Sequence, residues 1–335
     1  MVKIGVIGGG INGFSSAVRI KERFKDADVV LISEEFSPNT TGDGSGGLWY
    51  PYLCGNTPEH LLMKWGIETY RFIHGLWREG GYDVNLMPMY SLYKHKERFS
   101  RPQWASKVFG YQELREKQLI YLSELYSSAY SAGETFSTFV VLPSSMINYM
   151  QSRFKNMNGK VVKAKVTSLN DDILRDYDVI INCTGLGSRY IVPDNAVFPI
   201  RGQIAKVSAP WINHTIIDND RENYIIPNVN ICVLGGTHQE NNYNRQINEQ
   251  DRQTIMSGCQ EIIPSLQHAQ LVNHWVGLRP GRTEVRLEKE VKDGKLYIHN
   301  YGHGGSGLTL FWGCASDVVN LLEEYLNKNI TKSKL

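Results

Sequence analysis

Residues 2–34 constrain the fold more tightly than any other stretch. Val2-Lys3-Ile4-Gly5-Val6-Ile7 is an apolar, β-branched run suited to a parallel strand buried on both faces, and it stops at Gly8-Gly9-Gly10-Ile11-Asn12-Gly13. Residues 11–24 carry apolar positions at helical spacing, and Asp28 to Ser33 reads as a second strand delivering Glu34. A strand that ends in glycines and turns straight into a helix aims main-chain N–H groups and the positive end of the helix dipole at one place, which suits a pyrophosphate. An acid about 20 residues further on accepts from ribose hydroxyls. The run predicts a βαβ dinucleotide-binding unit, and the acid at 34 argues against a 2′-phosphate and hence against NADP.

Further along, residues 58–80 read as a helix, while 81–143 read as irregular and aromatic, without a repeat. From 144 the Rossmann-like character returns: a helix to Phe154, a strand Lys160 to Val166, and a strand Tyr177 to Asn182 ending in Cys183-Thr184-Gly185-Leu186-Gly187. Alternating apolar residues over 197–234, followed by Gly235-Gly236, predict antiparallel strands; residues 249–263 read as a helix, 270–279 and 284–299 as strands, and 307–327 as the last helix. The expected architecture is α/β. A Rossmann-like nucleotide-binding domain (1–55, 144–195 and 281–335) is interrupted by an α+β substrate domain built on an antiparallel sheet (56–143 and 196–280).

The chain's 36 lysines and arginines balance 34 acids for a net charge of +2, without a long run of one sign, so nothing draws it toward nucleic acid or a membrane surface. A small molecule is the expected partner. Five cysteines without a C-x-x-C predict reduced core thiols rather than disulfides or structural zinc. No apolar stretch approaches the roughly 18 residues of a membrane span and no signal-peptide core opens the chain, so a soluble, unsecreted protein is expected, with the sequons at Asn39, Asn182, Asn213 and Asn329 unmodified. The terminal Ser333-Lys334-Leu335 matches the tripeptide read by the peroxisomal import receptor, which predicts the peroxisomal matrix.

A second glycine cluster, Gly302-His303-Gly304-Gly305-Ser306-Gly307, lies between the strand ending at His299 and the last helix. Its amides and helix dipole favour negative charge, as the N1/O2 edge of a reduced isoalloxazine carries. His299 and His303 have metal-like spacing but neither a helix to hold them nor a companion carboxylate, so no metal is expected.

These residues resemble the D-amino-acid oxidase and D-aspartate oxidase family of flavoproteins. The likeness runs from the N-terminal fingerprint through Thr40-Thr41, Gly47-Leu48-Trp49, Asn182-Cys183-Thr184-Gly185, Arg201-Gly202-Gln203, Tyr224-Ile225-Ile226-Pro227 and Gly277-Leu278-Arg279-Pro280 to His299–Gly305 and Gly313-Cys314-Ala315. It implies oxidative deamination of D-amino acids by hydride transfer from Cα to N5 of FAD, giving a 2-oxo acid, ammonia and, with dioxygen, hydrogen peroxide. Arg279 would hold the substrate carboxylate as a planar fork, Tyr224 would share it, and the Gly305 carbonyl would accept from the amine. The implied FAD contacts are Gly8, Gly10, Ile11, Asn12, Gly13, Glu34, Thr40, Thr41, Gly46, Gly47, Leu48, Val166, Cys183, Thr184, Gly185, Arg279, Gly304, Gly305, Ser306, Gly307, Leu308 and Thr309. One departure from the family pattern is the glycine-rich Gly42–Gly47 loop, expected to be loose at up to about 1 kcal/mol per glycine relative to alanine and to weaken FAD binding.

The substrate side chain is expected to meet Tyr50, Ile217, Ser306, His238 and Arg221. A short segment His214 to Pro227, with polar residues such as Asp220, and Gly235-Gly236-Thr237-His238-Gln239 resemble the acidic-substrate branch, although Ile217 and His238 stand where that branch has arginines. Arg221 reaching in from a lid, or His238 protonated beside a carboxylate, would supply a cation. This favours D-aspartate or D-glutamate. The alternatives are neutral D-amino acids, a glycine or sarcosine oxidase-like enzyme, an NAD-dependent dehydrogenase, or a flavin binder without turnover.

Overall fold

The computed structural model describes residues 2–332. The chain opens with β1 (Lys3–Ile7), α1 (Ile11–Arg23) and β2 (Asp28–Ser33), continues through α2 (Glu59–Glu79), β3 (Val84–Tyr93), β4 (Phe109–Glu113), α3 (Glu116–Leu125), β5 (Ala132–Val141), α4 (Pro143–Asn156), β6 (Lys160–Lys163) and β7 (Val179–Asn182), and then makes the short α5 (Ser188–Ile191). A run of strands follows: β8 (Phe198–Ser208), β9 (Thr215–Asp218), β10 (Asn223–Pro227), β11 (Cys232–Gly235) and β12 (Gln239–Glu240). The chain finishes with α6 (Glu249–Ile262), β13 (Gln270–Gly281), β14 (Arg286–Lys292), β15 (Lys295–Tyr301) and α7 (Gly307–Lys332).

The first sheet has the order β14-β15-β7-β1-β2-β6, parallel except for β14 at its edge. β1 and β2 are buried on both faces, as their unbroken apolar runs require. Gly8 has φ +116° and a Cβ there would meet the Cys183 carbonyl oxygen at 2.4 Å, while a Cβ on Gly13 would meet the Gly8 carbonyl oxygen at 1.8 Å. Only glycines let α1 begin this close to the strand tips. The second sheet runs β8-β11-β10-β9-β3-β5-β4, with β12 also on β8 and β13 along its other edge. One hydrophobic core joins the two layers, from Ile4 and Phe14 through Trp49, Tyr70 and Phe139 to Phe311.

The structure corrects three expectations. Residues 81–143 are not irregular: β3 and β5 pair along all their length, Val84 with Val141 to Tyr93 with Ala132. Residues 284–299 form the hairpin β14–β15, turning at Asp293-Gly294 with φ of +52° and +77°. Such a pair of positive φ values is what an Asp-Gly hairpin turn needs. The segment His214 to Pro227 is a tight hairpin rather than a lid, for β9 and β10 pair directly, and Asp220 in its turn accepts from Lys94 N at 2.5 Å and Arg98 Nη1 at 2.7 Å.

Strand register sets out the floor of the site. Trp275 pairs with Ile204, Ile204 with Gly235, Gly235 with Tyr224, Tyr224 with Ile217, Ile217 with Ser91, and Ser91 with Glu134. Directly paired residues point to the same side of a sheet, so these seven form one row across its cavity face.

Candidate active site

An elongated cavity of about 660 Å³ lies between the two sheets. At one end stand the β1–α1 turn, with Gly8, Gly10, Ile11 and Asn12, and Glu34 at the tip of β2. Its walls include Thr40, Thr41, Gly46, Gly47, Leu48 and Val166, then Cys183, Thr184 and Gly185 after β7. Tyr224, Arg279, Gly304, Gly305, Gly307 and Leu308 line it further on, as do Tyr50 and Ile217.

Arg279 projects from β13 and donates from Nη1 to the Thr237 carbonyl at 2.9 Å. Its guanidinium carbon lies 6.0 Å from the Tyr52 ring centroid. It packs on the bare face of Gly202, where a Cβ would be 2.4 Å from Nη1. Across the row, a Cβ on Gly235 would sit 2.0 Å from the Tyr224 ring. Among the described residues no carboxylate lies within 4.0 Å of Arg279. A cation in a partly desolvated cavity with no protein counter-charge invites a carboxylate from outside. Burial raises the Tyr224 hydroxyl above the ordinary phenol range, with the Arg279 charge working the other way. Tyr52 is pushed up to about 12 by burial, again opposed by Arg279. Both phenols stay protonated and can donate to an anion.

The opposite end suits a dinucleotide. α1 has Gly10 at its N-cap, no side-chain cap and no acid in its first turn, and a Cβ on Gly10 would meet nothing within 4 Å. The first-turn amides are therefore open to a pyrophosphate. α7 also begins at the cavity without an acid in its first turn. Between the two helix starts, Asn12 Nδ2 lies 3.2 Å from His303 Nδ1, and Asn12 Oδ1 and His303 Nε2 are buried without partners. Burial lowers His303 to about 4, so its ring is neutral. With Nδ1 accepting from Asn12, Nε2 carries a proton aimed at no protein atom. Glu34 stands at the rim beside Lys165 Nζ at 3.0 Å, within reach of solvent or a ribose. These residues fit FAD: Gly8, Gly10, Glu34 and the first turn of α1 for the nucleotide, and His303, Gly304, Gly305, Gly307 and Leu308 for the flavin.

Five residues expected at the site do not line the cavity. Gly13 does not line the cavity; it serves the close packing of α1 on Gly8. Ser306 and Thr309 turn away from it and stitch the 50–54 segment to α7: Ser306 Oγ accepts from Tyr52 N at 2.7 Å and donates to Tyr52 O at 2.9 Å, and Thr309 Oγ1 donates to Tyr50 O at 3.0 Å. They aim Tyr50 and Tyr52 at the cavity instead of touching its contents. Arg221 also turns away, donating to Ser127 O at 3.0 Å and lying 3.6 Å from both Asp218 and Glu261. His238 stays outside, with Nδ1 3.4 Å from Glu222 Oε2.

The glycine-rich loop is pinned rather than loose. Asp43 accepts from Thr40 N at 2.9 Å and Thr40 Oγ1 at 2.6 Å, a Cβ on Gly44 would be 2.2 Å from the Trp275 ring, and one on Gly47 1.9 Å from the Val141 carbonyl oxygen. Residues not anticipated from the sequence also line the cavity: Tyr52, Asn219, Trp275 and His303. His303 lay inside the glycine cluster, and Tyr52 two residues from Tyr50. All five cysteines are free and buried, and among the described residues no group of three or more His, Cys, Asp or Glu is arranged to hold a metal. No helix among the described residues is long and apolar enough to cross a membrane.

Two helix starts facing one elongated cavity that ends at an arginine without a counter-charge are the arrangement of a flavin-dependent oxidoreductase. The chain belongs to the family described as FAD dependent oxidoreductase, whose sequence pattern matches residues 3–321. It is 37% identical over 337 residues to a D-amino acid oxidase of Dugesia ryukyuensis, covering 97% of this chain and 98% of that protein. It is 32% identical over 343 residues to a D-aspartate oxidase of Homo sapiens, covering 99% of each. Among solved structures, glycine oxidase from Bacillus cereus superposes with a TM-score of 0.79 at 15% identity, over 97% of this chain and 96% of that one, and shows the shared fold. So does L-alpha-glycerophosphate oxidase from Mycoplasma pneumoniae with FAD bound, at a TM-score of 0.78 and 14% identity, over 96% and 95% of the two chains.

Proposed function

We propose that this protein oxidatively deaminates D-amino acids to 2-oxo acids and ammonia, with dioxygen reduced to hydrogen peroxide. The observation that carries this reading is Arg279: a cavity-facing guanidinium seated on Gly202, unpaired with any carboxylate of the described chain, and flanked by the Tyr224 hydroxyl. That pair suits an α-carboxylate, with the planar fork fixing its orientation. Gly305 offers a main-chain carbonyl in the same cavity, to which a substrate amine can donate. FAD, when bound, supplies the two-electron oxidant that takes hydride from Cα and hands the electrons to dioxygen.

The protein's part is to bind and orient. Arg279 and Tyr224 fix the carboxylate, Gly305 fixes the amine, and the remaining Cα substituents then decide which enantiomer directs its hydrogen at the oxidant. The imino acid released takes up water to give the 2-oxo acid and ammonia. The similarity to relatives named D-amino acid oxidase and D-aspartate oxidase supports this reading. A peroxide-coupled screen over both enantiomers of alanine, proline, glutamine, aspartate and glutamate, with glycine, tests it. Peroxide from D-enantiomers alone is expected; peroxide from glycine or L-enantiomers only overturns it.

We further propose a peroxisomal site of action. Ser333-Lys334-Leu335 lies outside the described residues and supports this by its sequence, and an organelle rich in catalase suits a peroxide producer. A reporter fused ahead of the full chain should enter peroxisomes with the tripeptide and stay in the cytosol without it; identical distributions would overturn this.

A further inference from the structure

Beyond Tyr224, the floor row continues through Ile217 and Ser91 to Glu134, which is only 2% exposed. Glu134 is a lone carboxylate in an otherwise apolar and hydroxyl-bearing strand, and no cation pairs with it among the described residues. Tyr50 Oη donates to Glu134 Oε1 at 3.2 Å and Tyr111 Oη donates to Oε2 at 2.8 Å. Tyr50 Oη also lies 3.4 Å from Ser91 Oγ. Asn219 Nδ2 donates to Ser91 Oγ at 2.9 Å and to the Leu92 carbonyl at 3.2 Å. Because a carbonyl can only accept, the Asn219 amide is fixed with its nitrogen toward Leu92.

Proton direction follows from one end to the other. Asn219 donates to Ser91, Ser91 to Tyr50, and Tyr50 to Glu134. While Glu134 is ionised, every proton of the chain is committed toward its carboxylate. Tyr50 and Asn219 both line the cavity, so what they leave for a ligand is lone pairs: one on Tyr50 Oη and those of Asn219 Oδ1. We propose that this wall, backed by Glu134, is an acceptor-only surface that selects D-amino acids whose side chains donate hydrogen bonds (amide, hydroxyl, ammonium or guanidinium) over those that end in a carboxylate. The inference rests on the D-amino-acid reading and departs from the acidic preference expected of Arg221 and His238, neither of which lines the cavity.

The selection depends on pH. Burial raises Glu134 from the usual carboxylate range to about 7, with the Tyr111 and Tyr50 hydroxyls acting in the lowering direction and the Glu113 charge in the raising one. The other titratable groups around this cluster are Tyr93 beside Tyr50, and Arg101, which pairs with Glu113 at 3.4 Å and lies over the Tyr111 ring. Below neutrality Glu134 is protonated and tolerates an acidic neighbour; above it, the charge repels one.

The test compares isosteres. The ratio of kcat/KM for D-glutamine to that for D-glutamate is measured from about pH 6 to about pH 8.5 for the FAD-loaded wild type, Glu134→Gln and Tyr50→Phe. The wild-type ratio should favour D-glutamine and rise by about tenfold or more across that range, and Glu134→Gln should lower it at high pH and flatten the profile. Tyr50→Phe should lower it by removing the acceptor. A Glu134 that only supports the fold would change both substrates alike and leave the ratio flat. If Glu134→Gln yields no folded protein, the wild-type profile decides alone. Turnover of D-glutamine with a pH-independent ratio near one overturns the inference and leaves the proposed function standing; no turnover of any D-amino acid overturns both.

Discussion

Arg279 rests on the bare face of Gly202: a Cβ there would lie 2.4 Å from Nη1 and 2.6 Å from Cζ of the guanidinium. The fork is held by this contact and by the Thr237 carbonyl, so its direction is set by strand register between β8 and β13 rather than by a neighbouring acid. Gly202→Ala should push the guanidinium off line. A displacement near 1 Å at a positioning group costs about 100-fold in rate, so kcat/KM should fall by one to two orders of magnitude for every D-amino acid. Flavin titration of the apoprotein should show FAD affinity within about twofold of wild type. Equal loss of FAD binding would place Gly202 in general packing instead.

Arg279→Lys keeps the charge and loses the fork. A point ammonium cannot make two parallel hydrogen bonds to a carboxylate, and about 2 to 4 kcal/mol of orientation and binding should go, a loss of roughly 30- to 1,000-fold in kcat/KM. Steady-state kinetics with D-alanine checks this. Wild-type kinetics in the lysine variant would mean that some other group holds the substrate.

Glu134 should leave a mark on stability. Its folded-state value of about 7 exceeds the unfolded value of 4.5. Between the two the native state holds a proton that the unfolded chain has lost, so the stability it contributes is full below the unfolded value and drains away as pH rises through the folded one. The swing is at most about 3 kcal/mol. The melting temperature of Glu134→Gln relative to wild type should therefore climb between about pH 5 and pH 8. A difference independent of pH would show that Glu134 ionises normally.

The nucleotide end offers a separate check. Asn12 and His303 each bury a polar atom without a partner, an arrangement that costs stability unless a ligand fills it. Asn12→Ala should weaken FAD binding by about 1 to 3 kcal/mol, roughly 5- to 150-fold, in a fluorescence titration of the apoprotein. Unaltered affinity would mean that the orphaned atoms face only water.

Much of this was readable from the chain because local signals and tertiary roles agree in the nucleotide half. The β1–α1–β2 run has one period per element, glycines where the backbone closes up, and an acid at the strand tip. Residues 84–141 were opaque for the opposite reason. β3 shows no clean alternation, because both of its faces are buried, Met89 and Ser91 on the cavity side and Leu92 on the other, and Pro88 interrupts the pattern. The site splits along the same line. Gly8, Gly10, Thr184, Tyr224 and Arg279 line the cavity. Arg221 and His238 do not, since hairpin register gives Tyr224 the inward direction and leaves Arg221 in a turn beside Asp218. Ser306 and Thr309 sit in a motif whose glycines face the ligand while its hydroxyls secure Tyr50 and Tyr52. Glu134 did have a signal: one acid amid Ala132–Val141, a strand otherwise without charge.

The central claim is that Arg279 and Tyr224 pin a D-amino acid so that its Cα hydrogen meets a bound flavin. Anaerobic mixing of the FAD-loaded protein with D-alanine, and separately with L-alanine, tests it most directly through the flavin absorbance near about 450 nm. Rapid bleaching by the D-enantiomer alone, slowed by one to several orders of magnitude in Arg279→Lys, is the predicted result. A spectrum that neither D-alanine nor any other D-amino acid bleaches, or one bleached equally by both enantiomers, would contradict the account.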